Sequence, residues 1–547
     1  MNHNSATVRP GQRIWDGIAY LIPIGGFAIG LFLLLRGIAQ PWSGLGDSDG
    51  ALFSSIAHNY LQFGVFELKF GQLASYEELA RPGGIYYLHH PPLFPLLVAA
   101  SFALFGEAEA YARLVSVLAT LATAALLFTM VRKMTNGRTA VLAIFLFMTY
   151  PSTILFGRKP GYEALTLLFV VLATWLYQTY RNNSARSTLL LLFAALAAAA
   201  ASDWAAYLLP PALLGHYLLT RKDARVDWPL LAGLVLTPTA ILVSFLLAIY
   251  VVDKTSLLSL LHQGLAYAGF VPEDSDIAST VVEAQIAFSP KAYFFRLVQN
   301  FDLAFGAIAA LLAMLGLVFV RSHRELKHVV LVLSCVVLGT FMIFWRSLFF
   351  HLWWLHLLTV PLAILGAVAV AGMLDFAGHE KQAYGQAAKA GIMAAVALPV
   401  MLTMLYSVWQ LSGEQIRVLP EGRPERPDFI RELGRRIHRS TAIHDQVLTN
   451  LVPGREKTNS YIRTLPYYSR RVIVPGITSP GQIRPQLAQK DAQPGGATYF
   501  LLEPEAGAGL MEGGLIAWLH SHGSVVPLSI QGHRFELFKL DGAPGAS

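Results

Sequence analysis

Apolar runs of roughly twenty residues alternate with short Lys- and Arg-rich stretches along the first 410 positions. As helices, runs of that length match the hydrocarbon thickness of a bilayer. Basic clusters fall at Arg132–Arg138, Arg181–Arg186, Arg221–Arg225, Arg321–His328 and around Lys381–Lys389. Two apolar stretches separate each consecutive pair of clusters. Each interval therefore predicts a hairpin that leaves and re-enters one side, which the positive-inside rule makes the cytoplasm. The hairpins are 138–156 with 161–180, 187–202 with 204–219, 228–251 with 301–320, and 328–345 with 354–374. A last span, 390–410, exits and leaves residues 411–547 outside.

Arg9 and Arg13 keep the start inside, and the run from about Ile18 to Leu35 is too long for a signal-peptide core, so it reads as a first, exiting span. The run 112–131 must re-enter to place Arg132 and Lys133 inside. Between them lies Pro91–Phe105, which cannot cross without inverting every later loop and falls short of the roughly twenty residues a span needs. It is expected to lie in the outer interface or to be re-entrant. The pattern thus predicts an α-helical polytopic membrane protein of about eleven transmembrane helices, with interface helices in the first outer loop. Residues 1–410 form the membrane domain, with outer loops 40–111 and 252–300. Residues 411–547 form a soluble α/β domain outside: Gln446–Leu451, Val472–Val474, Thr498–Leu502 and Arg534–Leu540 read as strands, and Asp428–His438 and Leu515–His522 as helices.

Composition narrows the class further. The 547 residues are 54% hydrophobic and 14% charged, where a soluble protein has about 25% charged residues, so a soluble fold is excluded. The net charge of +7 sits largely in short loops and reports topology rather than nucleic-acid binding. One cysteine, Cys335, excludes a disulfide framework and cysteine-rich metal centres.

The unusual polar residues gather on the predicted outer face. Asp47 and Asp49, in Gly46–Gly50, stand before the amphipathic run Ala51–Phe63. A carboxylate there can act as a general base or bind a cation; alternatively Ser48 or Asp49 caps the helix. His89 and His90, in Tyr86–Pro95, can bind a metal or a phosphate oxygen, or remain solvated imidazoles. Arg158 and Lys159 lie outside by parity, where an anion or lipid head groups would hold them. Glu163 opens the next span, a place the helix dipole favours and where a carboxylate commonly faces a cavity. Arg346 follows Trp345 and precedes His351–His356; its fork suits phosphate, while the tryptophans suit an aromatic belt.

The order of these features resembles the C-fold membrane glycosyltransferases that use polyprenyl-phosphate sugars. The sequence has one span, an outer loop with an acidic pair, an amphipathic helix, an HPPL interface helix, and an R-x-P-x-Y-E turn opening a later span. The closest branches are the protein O-mannosyltransferases and the lipid A aminoarabinose or galacturonosyl transferases. Residues 15–180 carry the resemblance. The WWDYG signature of oligosaccharyltransferases is absent, because Trp353-Trp354 is followed by Leu355-His356.

The resemblance implies that Asp49, followed by Phe53, Ser54 and Ala57, is the catalytic base, with Asp47 offsetting Gly50, which stands where an acidic residue is common. It places His89 and His90 where relatives have residues linked to a divalent metal ion and to lipid phosphate, giving His89 as a metal candidate. The substrate-binding candidates are Asp47, His90, Arg158, Lys159, Glu163 and Arg346. The implied enzyme is an inverting hexosyl or pentosyl transferase of the bacterial inner membrane, with its C-terminal domain in the periplasm. It would move a sugar from a polyprenyl-phosphate donor to a hydroxyl of a lipid, glycan or protein acceptor of the cell envelope, such as lipopolysaccharide. Two other classes stay open: a transporter or flippase of an anionic lipid-linked sugar, and a non-catalytic envelope assembly protein. Nearly charge-free span interiors disfavour ion-coupled transport.

Overall fold

The computed structural model describes residues 24–42, 44–74, 86–221, 226–270, 289–379, 402, 406, 428–442, 444–451, 464–491, 496–502, 514–526, 528–530 and 533–540. Most of the expected span 390–410, the Lys381–Lys389 cluster, the junction at 410/411 and the start of the Ile18–Leu35 run lie outside these residues, as do residues 271–288 of the outer loop 252–300. The chain divides into two compact units. One comprises residues 1–36, 116–158 and 162–415; the other comprises 37–115, 159–161 and 416–547.

The first unit is a bundle of apolar helices, and several of them span a membrane. Four described helices are long and apolar enough to cross: Glu109–Met134, Trp228–Val252, Arg324–Ile343 and Leu352–Phe376. Two bent pairs raise the number to six among the described residues. The expected span 138–156 is one of these pairs: Gly137–Thr149 and Pro151–Arg158 meet at 65°. Pro151 has no N–H to continue the helical ladder, and its ring crowds the preceding turn. The expected span 301–320 is the other, with Pro290–Phe305 and Ala307–Ser322 meeting at 88°. Gly306 takes φ +77° at the break, a conformation that favours glycine.

The hairpin expected over 187–219 forms as Arg186–Ala200 and Leu209–Thr220, joined through the short helix Trp204–Leu208. Both arms are shorter than a straight bilayer span. Packing within the unit uses small residues. Gly316, on Ala307–Phe319, lies so close to the Leu365 backbone that a Cβ would meet its carbonyl oxygen at 2.2 Å. Small residues let helix backbones approach where lipid removes the hydrophobic driving force between helices.

The second unit contains an α/β layer structure and the helices of the first loop. Its strands are β1 (Gln446–Thr449), β2 (Val472–Val474), β3 (Thr498–Leu502), β4 (Gly523–Val526), β5 (Ser529–Ile530), β6 (His533–Arg534) and β7 (Glu536–Leu540). Five make one sheet in the order β2-β1-β3-β7-β4, with β2, β1 and β3 parallel and β7 antiparallel to β3 and β4. Alternating side chains feed two cores. Val447, Tyr499, Leu501 and Leu537 join Ile430, Leu433 and Ile437 of the helix Asp428–Ser440. Leu448, Phe500, Leu502 and Phe538 join Ile483, Leu487, Leu515 and Leu519 of the helices Pro480–Asp491 and Leu515–His522. Parallel strands covered on both faces read as continuous apolar runs, as TYFLL of β3 does.

In the same unit, Leu93–Phe105 is a thirteen-residue helix, about 20 Å long at 1.5 Å per residue. Phe94, Val98 and Phe102 are buried, whereas Leu104 and Phe105 are exposed. Phe94 meets Phe53 of the helix Gly44–Phe63 edge-on, with ring centroids 5.1 Å apart.

Candidate active site

Asp49 lies inside the helix Gly44–Phe63, five residues after its first residue. The orphan N–H groups that a capping side chain satisfies belong to the first turn, so neither Ser48 nor Asp49, both inside the helix, stands at the N-cap position. The Asp49 carboxylate instead meets the Lys159 ammonium, Oδ2 to Nζ, at 2.6 Å. The Lys159 side chain is 14% exposed and that of Asp49 27%, so the pair is largely withdrawn from water. Two candidates far apart in sequence are thereby brought together within one unit. Gly50 is required beside them: a Cβ there would meet the Trp42 ring at 2.5 Å. The Asp47 side chain lies outside what is described.

His89 and His90 surround Tyr87. The His90 ring stacks on it at 6.0 Å and 19°, and the His89 ring tilts against it at 5.4 Å. Gln72 Nε2 donates to the His90 carbonyl at 2.5 Å, tying this segment to residues 71–73. Among the described residues, no group of three or more His, Cys, Asp or Glu side chains could hold a metal ion.

The other candidates belong to the membrane unit. Arg158, half-buried, ends the helix Pro151–Arg158. Glu163 is in the first turn of Tyr162–Asn183 and is buried at 7% exposure. It lines a crevice with Thr166, Asp203, Trp353, Trp354 and His356. Asp203, also buried, accepts from the Trp204 N–H at 2.7 Å and starts the short helix there. His356 Nδ1 and Ser152 Oγ share a hydrogen bond of 3.1 Å, and the Phe156 ring lies 5.1 Å from the imidazole. Arg346 is buried, with its guanidinium over the Trp345 ring at 5.3 Å. Next to it, Ser347 Oγ accepts from the indole N–H of Trp354 at 2.9 Å, so the Arg346 segment is tied to the crevice wall.

The crevice is narrow, with room for about one water molecule, so as it stands it does not enclose a sugar ring. Asp203 and His356 were not among the sequence candidates. The signal for Asp203 was present, as a lone charge between two apolar runs on the predicted outer side. His356 had none, because an aromatic belt explains HLWWLH equally well.

Residues 89–250 match the family model of dolichyl-phosphate-mannose-protein mannosyltransferase. No curated protein sequence matches the chain. Among solved structures, ArnT from Cupriavidus metallidurans in the apo state superposes with a TM-score of 0.58 at 15% identity, over 94% of this chain and 97% of that one. The same protein bound to undecaprenyl phosphate gives 0.56 over the same shares, also at 15% identity. An Archaeoglobus fulgidus oligosaccharyltransferase in complex with zinc and sulfate gives 0.55 at 12% identity, over 94% and 72%. At these identities each likeness is one of fold, and the WWDYG signature of oligosaccharyltransferases is missing here. The chain thus has the fold of these C-fold membrane glycosyltransferase structures, the group that residues 15–180 resemble in sequence.

Proposed function

We propose that this protein is a membrane glycosyltransferase that moves a sugar from a polyprenyl-phosphate donor to an acceptor hydroxyl. The observation that carries the reading is the Asp49–Lys159 pair, because it joins an acidic and a basic side chain from two separate parts of residues 15–180, the stretch that carries the resemblance. Lipid phosphate is a leaving group that needs cations to receive its charge rather than an acid to protonate it. Lys159 is one such cation, and Arg158 and Arg346 are further candidates. Asp49 accepts the proton of the acceptor hydroxyl as that oxygen attacks the anomeric carbon. The new C–O bond forms as the bond to phosphate breaks, so direct displacement inverts the anomeric centre. Until donor arrives, the Lys159 ammonium keeps the carboxylate in place, and a bound phosphate then shares that ammonium.

The undecaprenyl phosphate in the ArnT structure supports a polyprenyl carrier here. Glu163 is kept as a substrate-binding candidate, as a buried carboxylate in the first turn of its span. We place the reaction on the outer face of a bacterial inner membrane, with residues 411–547 in the periplasm and a lipid, glycan or protein of the envelope as acceptor. The test is release of undecaprenyl phosphate from a panel of undecaprenyl-phosphate sugars by the purified protein in nanodiscs, with an envelope lipid fraction as acceptor. Release that depends on both acceptor and Asp49 is the expected result. Donor crossing the bilayer without bond cleavage would instead favour the flippase class.

A further inference from the structure

The helix that carries Asp49 is held from the C-terminal part of its own unit. Trp42, just ahead of that helix, is fully buried, and its backbone N–H donates to the Tyr468 hydroxyl at 2.7 Å. The Tyr467 ring meets the Trp42 ring edge-on at 6.3 Å. The Arg113 guanidinium lies over the same indole at 4.2 Å and donates to the carbonyls of Ile38 and Gln40 at 2.8 and 2.6 Å. Tyr468 in turn donates to Glu109 Oε1 at 2.8 Å. Arg470 pairs with one oxygen of Glu107, and the other oxygen meets His58 Nδ1 at 2.9 Å. His58 stands on the helix of Asp49, and the Trp42 ring packs against Gly50, the residue after it.

Two tethers therefore grip this helix, one on each side of Asp49. On one side, Tyr468 fixes Trp42, which presses on Gly50. On the other, Arg470 fixes Glu107, which holds His58. Burial first, and the Glu109 carboxylate second, push the Tyr468 hydroxyl above its ordinary range, so it stays protonated and able to donate. Arg470 adopts φ +54°, a strained conformation for a side chain of its size, which fits a residue held by its partners.

We infer that Tyr468 and Arg470 are positioning residues that fix the helix Gly44–Phe63 and so set where the Asp49 carboxylate meets Lys159. The C-terminal part of the unit is then a scaffold for the site, because a reacting group misplaced by an ångström loses much of its effect. The functional half of this inference rests on Asp49 being the base.

The test is amide hydrogen exchange of the intact protein in nanodiscs, wild type against Tyr468→Phe and Arg470→Gln, with turnover of an undecaprenyl-phosphate sugar measured in parallel. Exchange over residues 42–63 should rise roughly three- to tenfold in each variant. Exchange over β1 and β3 and the melting temperature should stay unchanged, while kcat falls with KM for donor held. The conservative change Arg470→Lys, which keeps a cation on Glu107 and leaves Glu107 to hold His58, should retain protection that Arg470→Gln loses. Unchanged exchange over 42–63, an equal rise across the sheet, or the same loss of protection in Arg470→Lys as in Arg470→Gln overturns the positioning role. Full turnover in Asp49→Asn would instead remove the base assignment and leave the exchange result standing.

Discussion

At the scale of single residues, the Asp49–Lys159 pair separates two chemical roles. Asp49→Asn keeps the shape but cannot take a proton, so turnover should fall by about 10²- to 10⁴-fold with donor binding retained. Single-turnover kinetics with a labelled undecaprenyl-phosphate sugar measure this, and a rate within twofold of wild type would exclude the base. Lys159→Met removes the ammonium that a phosphate would share. Affinity for undecaprenyl phosphate should drop by about 1.5–3 kcal/mol, or roughly 10- to 150-fold in Kd. Glu107 gives a pH dependence. Burial raises its pKa, but the hydrogen bond and charge of His58 and the charge of Arg470 outweigh it, so the folded value lies below the ordinary 4.5. A depressed folded pKa stabilises above the unfolded value, and that contribution is lost as pH falls from about 4.5 toward the folded pKa. Protection over 42–63 should therefore weaken in acid, and Glu107→Gln should lack this acid-dependent part.

At the scale of elements, the bends and close approaches decide the packing. Gly316→Val would drive a side chain into the Leu365 backbone, which cannot rotate away as a side-chain tip can. Overpacking of this kind costs about 1–3 kcal/mol, and thermal unfolding in detergent should show a lower midpoint, whereas Gly215→Ala, with open space around it, should leave the midpoint near wild type. The strand segments at 446–449, 472–474 and 498–502 could be read from sequence because buried parallel strands are continuous apolar runs between turn residues. The expected strand over 534–540 instead divides at Phe535, between β6 and β7. The helix of Asp49 starts earlier than its apolar run implied, because the residues ahead of that run carry little hydrophobic signal. The breaks at Pro151 and Gly306 were hidden inside runs apolar enough to pass as single spans.

For the whole molecule, the alternation of basic loops makes one topological prediction. A reporter fused after Phe105 should be on the outer side and one after Arg138 in the cytoplasm; a cytoplasmic signal at 106 would overturn the interface-helix reading of Leu93–Phe105. By itself, the sequence determined that the chain lives in a membrane, because apolar length and charge placement are local properties that a bilayer reads directly. It also determined which polar residues needed explaining, since charge beside a span is costly wherever the chain goes. Tertiary structure alone decided which of them meet. Asp49 finds Lys159, Glu163 shares a crevice with Asp203 and His356, and Tyr468 reaches Trp42 and Glu109. Such pairings join residues far apart in sequence, and nothing in local periodicity records them; they exist only once packing brings the partners within hydrogen-bonding distance.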